Sequence, residues 1–157
     1  MEARIPIYTS ESTFIYFNDR LFYDQLGGNY IPISARNSVG GAGYFPGLHF
    51  SGLGGYIRGL PMGYSDGKVK AGNNLSFCID FSSLWGWKAI EPGLISFYDA
   101  GVSGESNDDL GRVYRTCGMG LLLRSNKPVK GLNLILYDAY SFAEERSRLF
   151  LGFQLPF

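Results

Sequence analysis

The chain has 157 residues, and its 14 Lys and Arg residues balance 14 Asp and Glu residues. This length fits one domain over residues 1–157, and the balanced charge provides no basic field for nucleic acid, so we expect no nucleic-acid partner. With 22 Gly, 11 Tyr, 12 Phe and only 18% charged residues, the composition is typical of short strands joined by tight turns. The sequence therefore predicts an all-β fold.

Helices and metal sites are disfavoured by the same composition. Aliphatic runs such as Leu121–Leu123 are too short for a membrane-spanning helix, whereas a membrane barrel needs only alternate apolar residues. His49 is the single His, and no Cys-x-x-Cys is present, so we expect no metal and no cofactor. Cys78 and Cys117 have opposite strand parity, which predicts two free cysteines.

The N-terminal part of the chain predicts three strands and a long loop. Arg4–Thr9 is a weak strand, Ser12–Tyr23 is a stronger one, and Tyr30–Ala35 is the third. An irregular Gly-rich stretch follows at about 36–67. A loop of this length in a compact domain is functional or disordered, and its aromatic residues favour order.

Five strands follow the loop in close succession, which brings the total to about eight. They are Val69–Ser82, Lys88–Gly101, Arg112–Arg124, Leu132–Tyr140 and Arg148–Phe157.

Several of these strands alternate apolar and polar residues. In the first, Leu75 and Phe77 have one parity, while Ser76 and Cys78 have the other. Trp85 and Trp87 extend the apolar parity, as an interfacial aromatic girdle does. In the third strand, Gly118 and Gly120 lie opposite the apolar face, where a neighbouring backbone or loop can approach closely.

The last strand ends the sequence on an aromatic residue. One face of it is wholly apolar and consists of Leu149, Leu151, Phe153, Leu155 and Phe157. This pattern resembles the closing strand of bacterial outer-membrane barrels, where it is read as an assembly signal.

Two short motifs resemble the signature motifs of the BamA and two-partner-secretion transporter superfamily, which includes the bacterial surface antigens. The first is Gly54-Gly55-Tyr56-Ile57-Arg58-Gly59-Leu60, in which Ile57, Arg58 and Gly59 fit and Leu60 replaces an aromatic residue. The second is Phe97-Tyr98-Asp99-Ala100-Gly101, in which Phe97, Asp99 and Gly101 fit. In that family the tip of a long loop folds into the barrel lumen, and its Arg meets the strand Asp.

The resemblance implies a role for each motif residue. Arg58 and Asp99 are expected to form a structural latch, because an Asp in a lumen needs a partner and an Arg offers a two-pronged one. Gly55 and Gly59 are expected to let the loop tip turn sharply. A latch braces the barrel wall and performs no chemistry, so the chain is not expected to be an enzyme.

The resemblance also implies a fold, a location and partners. The expected fold is an antiparallel transmembrane β-barrel segment, either the C-terminal half of a sixteen-stranded barrel or a short barrel that closes alone. The expected function is to guide polypeptides into or across the outer membrane. Expected partners are outer-membrane lipid, client polypeptides, the barrel-assembly machinery, and either missing N-terminal strands or a second copy. The N-terminus has no secretory signal, so the expected location in the cell outer membrane requires a signal upstream of this sequence.

Three alternatives remain at this stage. A soluble β-barrel would bind a small apolar ligand, with Trp85 and Trp87 lining the pocket. A barrel of this type can also anchor a patatin-type surface protein, whose enzyme domain is absent here. A hydrolase would need His49, which has no nucleophile elbow nearby, or a carboxylate pair of Asp99 and Asp138, which their spacing does not suggest.

Overall fold

The computed structural model describes residues 2–25, 37–38, 40–45, 48–51, 57–61, 66–81, 90–125 and 133–154. These residues form strands connected by turns and short loops, and the all-β prediction is confirmed. The strands are β1 (Glu2–Thr9), β2 (Thr13–Gln25), β3 (Asn37–Ser38), β4 (Gly40–Phe45), β5 (Leu48–Ser51), β6 (Ile57–Pro61), β7 (Asp66–Gly67), β8 (Val69–Phe81), β9 (Ile90–Gly104), β10 (Tyr114–Ser125), β11 (Asn133–Ser141) and β12 (Arg146–Gln154).

Seven long strands form one continuous antiparallel sheet in the order β1-β2-β8-β9-β10-β11-β12. The five strands predicted after the loop are β8 to β12, and each pairs with the next one along the chain. The strand predicted over Tyr30–Ala35 lies outside the described residues, as do Trp85 and Trp87. Among the described residues, no helix has both the length and the apolar character needed to cross a membrane.

The sheet is open, whereas the sequence predicts a barrel. In the described strands, β1 forms one end of the sheet, and β5, β4 and β6 follow β12 at the other end. Among the described strands the sheet does not close on itself, as a short barrel would, and β5, a segment of the long loop, pairs in parallel with β12 through Phe150 and His49. The loop at 36–67 is also more regular than predicted, since it contributes the short strands β3 to β7.

Loop strand β6 packs against one face of the sheet, which we call the inner face. The opposite, outer face has an aliphatic row that crosses six neighbouring strands at one level. Leu94, Leu121 and Leu136 of this row are 38–54% exposed. The row consists of Ile15, Ile79, Leu94, Leu121, Leu136 and Leu151.

The inner face has a polar row that lies five residues along each strand from the aliphatic row. Its members are Arg20, Asn74, Asp99, Thr116 and Ser141. Asp99 and Thr116 are fully buried, and Ser141 is 1% exposed. The inner face thus buries both this polar row and apolar clusters around Phe97 and Tyr16, whereas the outer face exposes aliphatic side chains, which is unusual for a water-soluble sheet.

Aromatic rings on the inner face pack over glycines of the neighbouring strand. A Cβ at Gly118 would lie 2.6 Å from Phe97 Cζ, and a Cβ at Gly120 would lie 2.5 Å from Tyr137 Cβ. The nearest atoms at the two positions are the backbone carbonyl oxygens of Asp138 and Leu136, so the close approach of a neighbouring backbone that the sequence predicts is confirmed. The Phe97 and Tyr137 rings meet edge to face, with centroids 5.3 Å apart.

Candidate functional site: the loop tip on the inner face

The candidate site is built where β6 crosses the inner face. Ile57 and Leu60 of β6 are 1% and 0% exposed, and they pack with Phe22 and Tyr114 of the sheet. Because β6 has only 5 residues, it is stabilised by the burial of these two side chains rather than by strand propensity. The packing places Arg58, which lies between these side chains in sequence, over strand β9.

Arg58 and Asp99 form a two-pronged ion pair. Arg58 Nε donates to Asp99 Oδ2 at 2.8 Å, and Arg58 Nη2 donates to Oδ1 at 2.6 Å. The backbone N–H of Arg58 also donates to Oδ2, at 2.9 Å. Asp99 is fully buried, so its charge is compensated by three donors from one residue of the loop tip.

Two further side chains hold Arg58 in place. Its guanidinium carbon lies 4.1 Å from the centre of the Phe97 ring, which is a cation–π geometry. Thr116 Oγ1 donates to the Arg58 carbonyl oxygen at 2.7 Å. Residues of two neighbouring strands therefore hold both the backbone and the side chain of Arg58. Phe97 and Asp99 lie on β9, and Thr116 lies on β10.

The motif glycines give the tip its close approach. Gly59 has a φ of 89°, and a Cβ there would lie 2.6 Å from Ala139 Cβ. A Cβ at Gly101 would lie 2.8 Å from Ile57 Cδ1. Both positions thus require glycine for steric reasons, and Gly59 requires it for its backbone conformation as well. Gly55 lies outside the described residues.

The inner face also contains a second polar cluster, which the sequence does not predict. Arg124 Nη1 donates to Asp80 Oδ2 at 2.5 Å, and Arg124 Nη2 donates to the Tyr16 hydroxyl. Asp80 pairs across β8 and β9 with Gly93, where a Cβ would lie 2.9 Å from Asp80 Oδ1. Because Gly93 of β9 has no side chain, Arg124 of β10 can extend across β9 and contact Asp80 of β8.

Among the described residues, the carboxylate pair considered from the sequence does not form, and the two cysteines do not lie together. Asp99 lies on the inner face and Asp138 is exposed on the outer face, so they do not form a carboxylate pair. Cys78 is buried on the inner face, Cys117 lies on the outer face, and both are free. Within these ranges, no group of three or more His, Cys, Asp or Glu residues could hold a metal ion.

The terminal strand is described up to Gln154. Leu149 is 48% exposed and Leu151 is half-buried, and both belong to the outer face. The side chain of Phe153 and the residues Leu155 and Phe157 lie outside what the structure describes. The expectation of an assembly signal in this strand stays a prediction.

No protein-family model, curated protein or solved structure matches this chain. The family resemblance therefore rests on the two motifs and on the placement of their residues, and it enters below as a proposal.

Proposed function

We propose that this chain is a segment of an integral outer-membrane β-barrel of the BamA and two-partner-secretion superfamily, and that it acts in guiding polypeptides into or across the outer membrane. The proposal makes lipid the solvent of the outer face and the barrel lumen the environment of the inner face. It also makes the chain a scaffold without catalytic chemistry.

The exposed aliphatic row of the outer face is the observation that favours this function most. It crosses six strands, and Leu94, Leu121 and Leu136 within it are 38–54% exposed. A water-soluble sheet would bear a free-energy cost for so broad an exposed apolar surface, whereas a membrane strand needs lipid-facing and lumen-facing residues in alternation. The same reasoning accounts for Met119, which is 71% exposed.

The loop tip supports membership of this superfamily in particular. Arg58 and Asp99 belong to motifs that are 41 positions apart in sequence, and their side chains meet through two hydrogen bonds. Their place on the inner face is where that superfamily has its loop-to-wall contact. We propose that the pair is a structural latch that braces one wall of the barrel.

The open sheet bears on the proposed assembly. In lipid every backbone hydrogen-bonding group needs a partner, so the edge at β1 requires further strands from the same chain or from a second copy. The membrane lipid, the client polypeptide and the barrel-assembly machinery are the other partners that the resemblance implies. The chain would function in the outer membrane.

The soluble apolar-ligand alternative has less support. It needs an apolar inner pocket, but the described cavity of the inner face, of about 120 Å³, has three arginines in its lining beside the apolar Ile95, Leu122 and Ile135. We therefore retain the membrane proposal.

Mobility of the refolded chain on an SDS gel tests the membrane proposal directly. We expect the chain refolded in detergent to migrate differently when unboiled and when boiled, because a closed membrane barrel, alone or as a tight oligomer, resists SDS until heated. Solubility in plain buffer without any mobility shift would refute the proposal. Aggregation without a shift would restrict it to a half-barrel that needs additional strands, which co-refolding with a second, tagged copy would then test.

A charge on the outer face provides a second test. Leu121 lies in the middle of the aliphatic row and is 54% exposed. We expect Leu121→Lys to lower the free energy of unfolding in lipid by about 2–4 kcal/mol, because a lysine at the bilayer midplane is poorly solvated. Urea titration of the protein refolded in vesicles measures this change.

The matched control is Leu110→Lys, in the connection between β9 and β10. Leu110 is 41% exposed but lies outside the long strands. We expect its effect to stay within about 0.5 kcal/mol, as for most surface substitutions. Equal effects of the two lysines would show that the outer face is not in lipid.

A further inference from the structure

The inner face contains a cavity with cationic walls that the latch does not explain. Its volume is about 120 Å³, and its lining includes the guanidinium side chains of Arg4, Arg58 and Arg124. Of the described acidic residues, none belongs to the lining. Three cations around one small space favour an anion inside it.

Tyr16 holds two of these cations near each other. The guanidinium carbon of Arg4 lies 4.4 Å from the centre of the Tyr16 ring, and that of Arg124 lies 5.5 Å from it. Asp80 compensates Arg124, and Asp99 compensates Arg58. Arg4 is an exposed residue of the lining, and three guanidinium groups therefore share the two carboxylates of Asp80 and Asp99.

Two buried polar atoms at this cavity have no hydrogen-bond partner. They are Nε of Arg124, which can only donate, and Oδ1 of Asn18, which can only accept. Both residues line the cavity. Unsatisfied buried groups of this kind cost free energy, so a ligand that accepts from one and donates to the other would stabilise the site.

We propose that this cavity binds a small oxyanion that also bears a hydroxyl group, with monohydrogen phosphate as the simplest example. The oxyanion oxygens would accept from Arg4 and Arg124, and the hydroxyl would donate to Asn18. The volume is sufficient for such an ion, since one water molecule occupies about 30 Å³ in the liquid. A free anion is expected rather than a lipid head group, because the cavity opens on the inner face.

Cys78 provides a readout inside the site, because it also lines the cavity. The full chain bearing Cys117→Ser, refolded in detergent, has Cys78 as its single thiol. Two methanethiosulfonate reagents of similar size, one with a sulfonate and one with a quaternary ammonium group, are reacted with it. Relative to free cysteine, we expect the anionic reagent to be favoured by about tenfold, because three guanidinium groups line the same cavity as the thiol.

Inorganic phosphate then tests occupancy of the cavity. We expect millimolar phosphate at neutral pH to slow the reaction of Cys78 with an uncharged methyl reagent by at least about threefold, whereas chloride at equal ionic strength has no effect. Sulfate, which has no hydroxyl proton at this pH, is expected to protect less than phosphate. Equal protection by the two anions would remove the proposed role of Asn18.

Arg4→Gln is the variant that decides the proposal. Arg4 lies on the end strand, and its exposed side chain makes little contribution to the core, so the variant is expected to fold. We expect it to reduce both the reagent preference and the phosphate protection about threefold to fivefold. Arg146→Gln, which removes a 60% exposed cation that does not line the cavity, is the control that leaves both unchanged.

Calorimetric titration with inorganic phosphate completes the test and does not depend on thiol access. Heat of binding in the parent that is reduced in Arg4→Gln supports the site. No binding at 10 mM phosphate, together with no reagent preference, would overturn the proposal and leave a water-filled structural cluster. Neither result depends on whether the outer face lies in lipid, so failure here is distinguishable from failure of the membrane proposal.

Discussion

Asp99→Asn is expected to lower the free energy of unfolding by about 3–5 kcal/mol, because it leaves the Arg58 guanidinium without its buried counter-charge. Asp99 is fully buried and accepts three hydrogen bonds from Arg58, two from the side chain and one from the backbone. The asparagine conserves shape but retains only one acceptor oxygen. Urea unfolding of the chain refolded in detergent measures the loss.

A double-mutant cycle separates the pair from its surroundings. Arg58→Gln, Asp99→Asn and the double variant are expected to give a coupling free energy of several tenths to about 3 kcal/mol, the range for contacting residues. Arg146→Gln, at an exposed ion pair with Glu144, is the matched control and is expected to cost at most about 1 kcal/mol. Additive effects of the two latch variants would contradict the role of the pair.

A charge-swapped pair is a weaker test of the same contact. Asp99 Oδ2 accepts the backbone N–H of Arg58 as well as its side chain, and an arginine at position 99 cannot accept it. The longer side chain would also have to fit a site where Asp99 is fully buried. We therefore expect Arg58→Asp with Asp99→Arg to restore little of the stability.

Gly59→Ala is expected to destabilise the docked tip by about 3 kcal/mol, from two independent causes. The φ of 89° is unfavourable for a residue with a Cβ, and this conformation costs about 1–2 kcal/mol. The new Cβ would lie 2.6 Å from Ala139 Cβ, and such overpacking costs typically about 1–3 kcal/mol. Urea unfolding gives the total, and hydrogen exchange of the Arg58 amide reports undocking of the tip.

Ala139→Gly separates the two causes. Combined with Gly59→Ala it removes the clash but not the backbone strain, so we expect roughly half of the lost stability to return. Gly111→Ala is the control, because Gly111 is exposed and a Cβ there would lie 3.1 Å from only one atom, the Ser103 carbonyl oxygen. A neutral Gly59→Ala would show that the tip is not docked as described.

The parity of side chains is what the sequence predicts best. The alternation in Val69–Phe81 separates Leu75 and Phe77 from Ser76 and Cys78, and the structure places the first pair outward and the second inward. A period of two residues is a local property, so it is readable without knowledge of the partner strands. The same parity places Phe97, Asp99 and Gly101 together on the inner face.

Contacts that depend on the register between different strands cannot be predicted from the alternation of residues along one strand. The ion pair of Arg124 and Asp80 joins β10 to β8 across Gly93, and it is defined only when both registers are known. A glycine between two inward charges is the sequence feature that could have indicated it. The parallel pairing of β5 with β12 also cannot be predicted from the sequence, because no turn or hairpin pattern connects two segments that are so far apart.

The order of strands has a consequence for how the chain folds. Strands β8 to β12 are neighbours in both sequence and space, so their short hairpins can form with little loss of loop entropy. The pairing of β2 with β8 closes the whole loop between Gln25 and Val69. This closure loses more loop entropy than a hairpin does, so we expect it to be slower. We expect the tip to dock onto a surface that the C-terminal strands have already formed. The bond between Arg58 and Asp99 is therefore expected to form late in folding.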